Sequence, residues 1–288
     1  MDKLMRMLIE DGQISLVAID STTMVRHAQI IHGMTPQSAE TFGRVITFMT
    51  YMSCWLKDGA SQLSVSVKHH GETGEICVSG NGSLFMRGYV YNPSARDPSL
   101  GKGYITLVRD DHYKTPFVGT CELVSDDADG CFEYYYRLSE QLPTYIRTAV
   151  RFDGRGLCKA AGGIFLQPMP GASERAAQYA SFMREELADF GDRLQAVGLE
   201  GVLRAFGADE AQAVQREPQY RCMCSRQYIS GILRTMGEAE LREIVCAEGK
   251  VSVHCHYCNS DYDFFESDID ALFPAEREGQ TGNSGSAE

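Results

Sequence analysis

The sequence predicts an α+β protein: an N-terminal domain of mixed β-sheet and helix, a helical linker, and a small C-terminal zinc-binding domain. Three observations carry this. Strand-like runs are interrupted by helical patterns at uneven intervals, without the regular alternation that builds a parallel α/β sheet. A long, charged stretch of helical periodicity follows PMPGAS at 168–173. Cys222-x-Cys224 and Cys255-x-x-Cys258 then stand thirty residues apart near the C-terminus. The expected division is 1–171 for the first domain, 172–219 for the linker, 220–274 for the cysteine domain and 275–288 for a disordered tail of composition AEREGQTGNSGSAE.

Length and composition agree with this. The chain has 288 residues, enough for one large and one small domain, and 43% apolar with 10% aromatic residues supply a core. A formal charge of -12 repels phosphate backbones and anionic lipid, so neither nucleic acid nor membrane is the expected partner. The start, MDKLMRMLIEDGQI, lacks an apolar run behind a basic head, and no later segment holds eighteen apolar residues in a row. Ten cysteines fit a reducing cytoplasm, where they persist as thiols or metal ligands, and this leaves the sequon at Asn81 without consequence.

In chain order, Thr35 caps and Pro36 opens a helix whose apolar side carries Phe42, Ile46, Met49, Ser53 and Leu56. Strands are expected at LSVSVK (63–68), YITLV (104–108), VGTCELV (118–124), YIRTAVRF (145–152) and GIFLQ (163–167). Gly101-x-Gly103 lacks the lysine and hydroxyl residue of a phosphate loop and reads as a turn. The linker begins as one helix with Ala176, Tyr179, Met183, Leu187, Phe190, Leu194 and Val197 on its apolar face and Gly198 at its end. A shorter helix follows at about LEGVLRAF. Nine acidic and five basic residues between Gly171 and Gln219 give this segment a charge of -4, so its apolar stripe is expected to lie over the first domain.

In the cysteine segment, Ser225 caps a helix carrying Tyr228, Ile229, Ile232, Leu233 and Met236, and Gly237 stops it. EAELREIV gives a second helix, Gly249 a turn, KVSVH and YDFF two strands, and Ser267 a cap for DIDALF. Paired soft thiolates at this spacing suit tetrahedral zinc. So few large apolar side chains make a thin core, to which structural zinc adds roughly 10–16 kcal/mol of binding energy. Two uses of such a site stay open: a permanent zinc ribbon, or a switch. A disulfide across Cys222 and Cys224 would be strained and therefore labile, and thiolates are the form that peroxide or hypochlorite attacks. His254, His256 and Cys246 are near enough to be considered as ligands, but His256 in a tight knuckle is expected to point outward. Cys246, beside Leu241, Ile244 and Val245, is expected to be a small core residue.

Beyond these readings, CMCSRQYISGILRTMGEAELREIV and VHCHYCNSDYDF resemble the zinc switch of the heat shock protein 33 family of redox-regulated holdase chaperones. RGYV (87–90), LGKGYITLVRD (100–110), SEQLPT (139–144) and AGGIFLQPMPGA (161–172) fall in the family's order, so the resemblance spans nearly the whole chain. It implies that Cys222, Cys224, Cys255 and Cys258 bind Zn2+ in the reduced, inactive state. Oxidation would pair Cys222 with Cys224 and Cys255 with Cys258, release zinc, and unfold the small domain and linker. The protein would then dimerise, hold unfolded or aggregation-prone clients without ATP, and hand them to ATP-dependent foldases. SDDADGCFEYYYRL, with Cys131, departs from the family pattern by its acidity and aromatic content; Cys54, Cys77, Cys121, Cys131 and Cys158 are spare and expected to be mostly buried.

Two other functions compete. Four-cysteine ribbons often serve as nucleic-acid-binding or regulatory modules, but Tyr220–Phe273 carries five basic and nine acidic residues where a basic patch is expected. A thiol oxidoreductase using Cys255 and Cys258 would place that motif at the start of a helix, whereas here it follows a strand. No paired acid and base, nucleophile elbow or HExxH motif is present in the sequence, so the protein is not expected to be an enzyme.

Overall fold

The computed structural model describes residues 1–274 apart from 113, 114, 205 and 209. The tail expected at 275–288 lies outside the described residues. The chain forms two compact units, Met1–Cys222 and a second that begins at Met223.

The first unit opens with a hairpin of β1 (Lys3–Ile9) and β2 (Ile14–Asp20), followed by α1 (Thr22–His32) and α2 (Pro36–Ser53). Strands β3 (Gln62–His69), β4 (Ile76–Asn81), β5 (Phe85–Val90), β6 (Gly103–Asp110) and β7 (Phe117–Glu122) come next, then α3 (Ala128–Tyr135), β8 (Tyr145–Phe152) and β9 (Cys158–Pro168). Helices α4 (Glu174–Glu186) and α5 (Phe190–Arg204) precede two short strands, β10 (Val214–Arg216) and β11 (Gln219–Tyr220). These strands form two sheets, ordered β10-β1-β2-β9-β8 and β11-β5-β4-β3-β6-β7.

Helix α2 explains how the sheets share a core. Thr35 accepts the Ser38 N–H and Pro36 sits at the first turn, as the sequence predicts. The helix touches β8 and β9 of one sheet and β3, β4 and β5 of the other, so it is buried on all sides rather than along one stripe. Leu56 lies past its end and still packs against the main core.

The acidic segment that departs from the family pattern has a structural use. Asp127 caps α3 by accepting the Gly130 N–H. Asp129, fully buried, accepts both the Thr148 N–H and hydroxyl and lies 3.6 Å from the Arg44 guanidinium, which pins α3 to β8 and α2. The aromatic residues fill the core: Phe132 stacks on Phe48 and Tyr136 meets it edge-on.

The five strands expected between 63 and 167 are present, with GIFLQ forming the end of the longer β9. Its glycine pair permits close packing. A Cβ on Gly162 would lie 2.2 Å from the Ile19 carbonyl and 3.0 Å from Leu194, and one on Gly163 would crowd Phe165, Thr47 and Thr148. Helix α5 therefore seats on one face of this sheet and α2 on the other.

The helix expected from 174 to 197 is instead two helices. The chain turns at Leu187–Asp189, and the Asp189 carbonyl starts α5 by accepting the Asp192 and Arg193 N–H groups. The break brings Leu187 and Phe190, both fully buried, onto the sheet formed by β1, β2, β8 and β9. Gly198 has φ 70° and breaks the helical path inside α5, as the glycine predicts; Val197 beside it is exposed rather than core-facing.

The second unit contains α6 (Arg226–Met236), α7 (Glu238–Glu248), the hairpin β12 (Val251–Cys255) and β13 (Ser260–Phe264), and α8 (Glu266–Leu272). Ser225 caps α6 through the Tyr228 N–H, and Gly237 and Gly249 end α6 and α7 with positive φ. Ser267 is not the cap of α8: it lies within the first turn, and the Asp268 carboxylate accepts the Phe265 N–H from inside the helix. The core consists of Ile229, Leu233, Leu241, Val251, Phe264 and Ile269. Among the described residues no helix is long and apolar enough to cross a membrane.

Candidate metal centre

Local folding brings the four predicted cysteines together. Cys222 and Cys224 stand in the short irregular segment between β11 and the Ser225 cap. Cys255 ends β12, and Cys258 lies in the four-residue turn 256–259, closed by Asn259 at φ 53°. Alternation along β12 and β13 puts Val251, Val253 and Cys255 on one face with Tyr262 and Phe264, so the thiol of Cys255 leaves the hairpin on its core side.

The four Sγ atoms lie within 4.8 Å of one another, all half-buried. Tetrahedral zinc with Zn–S bonds of about 2.3 Å places sulfurs about 3.8 Å apart, so a convergent set of four soft donors suits such an ion. The shortest contact crosses the two motifs: Cys224 Sγ is 3.1 Å from Cys258 Sγ. The Tyr262 hydroxyl is 3.3 Å from Cys224 Sγ and orients that donor from outside the set. Around the hairpin, Lys250 and Ser252 both bond Asp263, and Arg226 stacks over Phe264 at 4.3 Å while pairing with Asp268. This cluster can hold a metal ion.

Neither histidine joins it. His256 is exposed, as expected for the knuckle, and His254 turns to Asp261 with its Nδ1 2.7 Å from the carboxylate. Cys246 is a correction: it is exposed, not a core residue. It lies five positions from Leu241, about 140° around an α-helix, and so leaves the face that Leu241 buries. Cys54, Cys121, Cys131 and Cys158 are buried and Cys77 half-buried, all in the first unit. Desolvation pushes the Cys54 and Cys158 thiols up to about 12, and raises Cys77, Cys121 and Cys131, so these five stay protonated and poorly nucleophilic at neutral pH.

The model of the family described as Hsp33 protein matches residues 2–265, which includes all four cysteines. The chain belongs to the Hsp33 family. A relative named 33 kDa chaperonin from Bacillus mycoides (strain KBAB4) is 32% identical, with 94% of this chain and 98% of the relative covered. The 33 kDa chaperonin of Bacillus cytotoxicus is 31% identical over the same shares. The crystal structure of a 33 kDa chaperonin, a heat shock protein 33 homologue from Thermotoga maritima, superposes with a TM-score of 0.81 over 94% of this chain and 97% of that one, at 24% identity. The α+β architecture is thus that of an Hsp33 homologue. In this Hsp33 chain the sequence reading missed Tyr262; its only signal was the two-residue period that aligns it with Phe264 on the core side of β13.

Proposed function

We propose that this protein is a redox-regulated, ATP-independent holdase chaperone of the cytoplasm, and not an enzyme. The observation that supports this most is the convergence of four thiols beside a core of only a few large apolar residues. Cys222, Cys224, Cys255 and Cys258 would hold Zn2+. When bound, the ion supplies the small unit with folding energy of roughly 10–16 kcal/mol and keeps the sulfurs as thiolates. The proposed domains are a chaperone core at 1–171, an amphipathic linker at 172–219 and a switch domain at 220–274.

In this reading the thiols are the trigger. Counted from the free thiols, Cys222 with Cys224 and Cys255 with Cys258 each lose two electrons and two protons. One molecule of peroxide per pair takes these up and leaves as two waters. The sulfurs so paired no longer serve as thiolate ligands, and the unit loses its main support. The linker then loosens and uncovers the apolar side of α4 and α5, flanked by charge that keeps a complex dispersed. The oxidised protein dimerises, holds unfolded clients, and passes them to ATP-dependent foldases. Family membership favours this reading over a zinc-ribbon nucleic-acid-binding or regulatory module.

The test compares reduced, zinc-loaded protein with peroxide-treated protein, following zinc release and suppression of aggregation of a heat-unfolded client. Protection should appear with oxidation; equal protection by the reduced protein would remove the redox gate.

A further inference from the structure

Strand geometry sets Tyr262 against the sulfur cluster. In the hairpin it stands opposite Val253 and, two residues from Phe264, faces the small core. Asp263 between them lies on the other face, where Lys250 Nζ and the Ser252 hydroxyl hold it at 2.7 Å each. Across the cluster, the Ser225 cap fixes the start of α6, and Arg226 covers the Phe264 ring while pairing with Asp268. Cys224, next to that cap, is thereby held against β13, with its Sγ 3.3 Å from the Tyr262 hydroxyl.

This contact has a direction once the sulfur is a thiolate. A thiolate carries no proton, so the phenol donates and the sulfur accepts. A hydrogen bond to a charged acceptor is stronger than one between neutral groups, and the lone pair it occupies is less available for attack.

We infer that Tyr262 sets how fast an oxidant reacts with Cys224: its hydroxyl, donating to Sγ, holds back the attack of that sulfur on peroxide. This rests on the reading of the four thiols as a zinc site open to oxidants. In the step concerned, Sγ attacks one peroxide oxygen; the S–O bond forms as the O–O bond breaks, giving a sulfenic acid and hydroxide. A second thiolate then displaces hydroxide from that sulfur as the S–S bond forms. The sulfurs lose two electrons, and peroxide gains them. Negative charge leaves Sγ during the first attack, so the bond from Tyr262 is stronger before the transition state than in it, and the barrier rises.

The test adds limiting hydrogen peroxide to the full-length protein in excess zinc, with dimedone to trap the first sulfenic acid and peptide mass spectrometry to locate it. Tyr262→Phe keeps the ring and removes the donor; trapping at Cys224 should speed about tenfold, while Cys258 in the same molecules changes by less than about twofold. 3-Fluorotyrosine at position 262, a stronger donor of nearly the same size, should slow Cys224 below wild type. With cobalt in place of zinc, the sulfur-to-cobalt charge-transfer band of Tyr262→Phe should move to lower energy, with the tetrahedral d–d bands kept. Equal acceleration at Cys224 and Cys258 would mean that the variant only loosens the site, and an unchanged rate at Cys224 that the hydroxyl is no brake; either overturns the proposal. Should Tyr262→Phe fail to hold cobalt, the fluorotyrosine protein decides, and an unchanged rate at Cys224 overturns the proposal there too. The holdase reading is measured separately, by client aggregation. If oxidised wild type holds client while Cys224 reacts alike with and without the hydroxyl, the role of Tyr262 fails and the holdase reading stands. If Cys224 responds as expected and no client is held, the holdase reading fails and the role of Tyr262 stands.

Discussion

Asp2 shows how one buried carboxyl couples the fold to pH. It accepts the Thr23 and Met24 N–H groups at the start of α1, and it is 5% exposed. Desolvation raises its pKa from 3.8 to about 6; the two N–H bonds oppose the rise and nearby Asp20 adds to it. A raised carboxyl holds its proton better in the folded state, so its contribution is full below the unfolded value near 3.8 and is lost as pH rises through about 6. About two pH units correspond to on the order of 2–3 kcal/mol. The stability difference between wild type and Asp2→Asn, from urea unfolding, should shift against wild type by about that much between pH 4 and pH 7. A pH-independent difference would show that Asp2 is not the titrating group. At the cysteine cluster, Cys222→Ser leaves a hydroxyl that keeps its proton, so zinc retention against a chelator should weaken. Tyr262→Phe removes a supporting bond and should cost about tenfold in affinity. Unchanged affinity in both would discard this ligand set.

Between residues and sheets, α4 and α5 matter most, because the proposed switch requires them to leave the face they cover. Phe190 is fully buried there, and Phe190→Ala should destabilise the first unit by about 3–5 kcal/mol. With the switch thiols still reduced, that variant should already suppress client aggregation in part; a destabilised variant without activity would separate helix packing from the gate. The C-terminal elements were legible because Ser225, Gly237 and Gly249 punctuate them and a two-residue period marks the strands. The first hairpin was not. β2 is buried on both faces, with Val17 and Ile19 in one cluster and Leu16 and Ala18 in the other, so ISLVAID shows no alternation to read. The turn at Leu187–Asp189 was hidden for another reason: the apolar spacing runs through it, and only tertiary packing of Leu187 and Phe190 separates one helix from two. The four cysteines were the clearest part of the site, since spacing alone nominates them; Tyr262 is an ordinary strand residue by type, and only the folding of the hairpin against Cys224 gives it a place at the site.

For the whole molecule, the contrast between the two cores sets the order of events. The first unit has two extensive clusters packed on both faces of the sheet that contains β2, whereas the second has a single small one. Removing zinc from the reduced protein with a chelator should abolish amide protection from Arg226 to Leu272 while β3, β4, β6 and α2 keep theirs. Retained protection in the C-terminal unit would mean that its apolar core suffices without metal. The same division separates the sulfur inventory. Cys54, Cys121, Cys131 and Cys158 are sealed in the first unit, so a membrane-impermeant alkylating reagent would tag them only after that unit opens, and mass spectrometry of tagged peptides could time its opening independently of the switch. The molecule therefore carries its own tamper seal: an intact set of four untagged cysteines certifies that whatever oxidant did to the C-terminal end, the larger body was never breached.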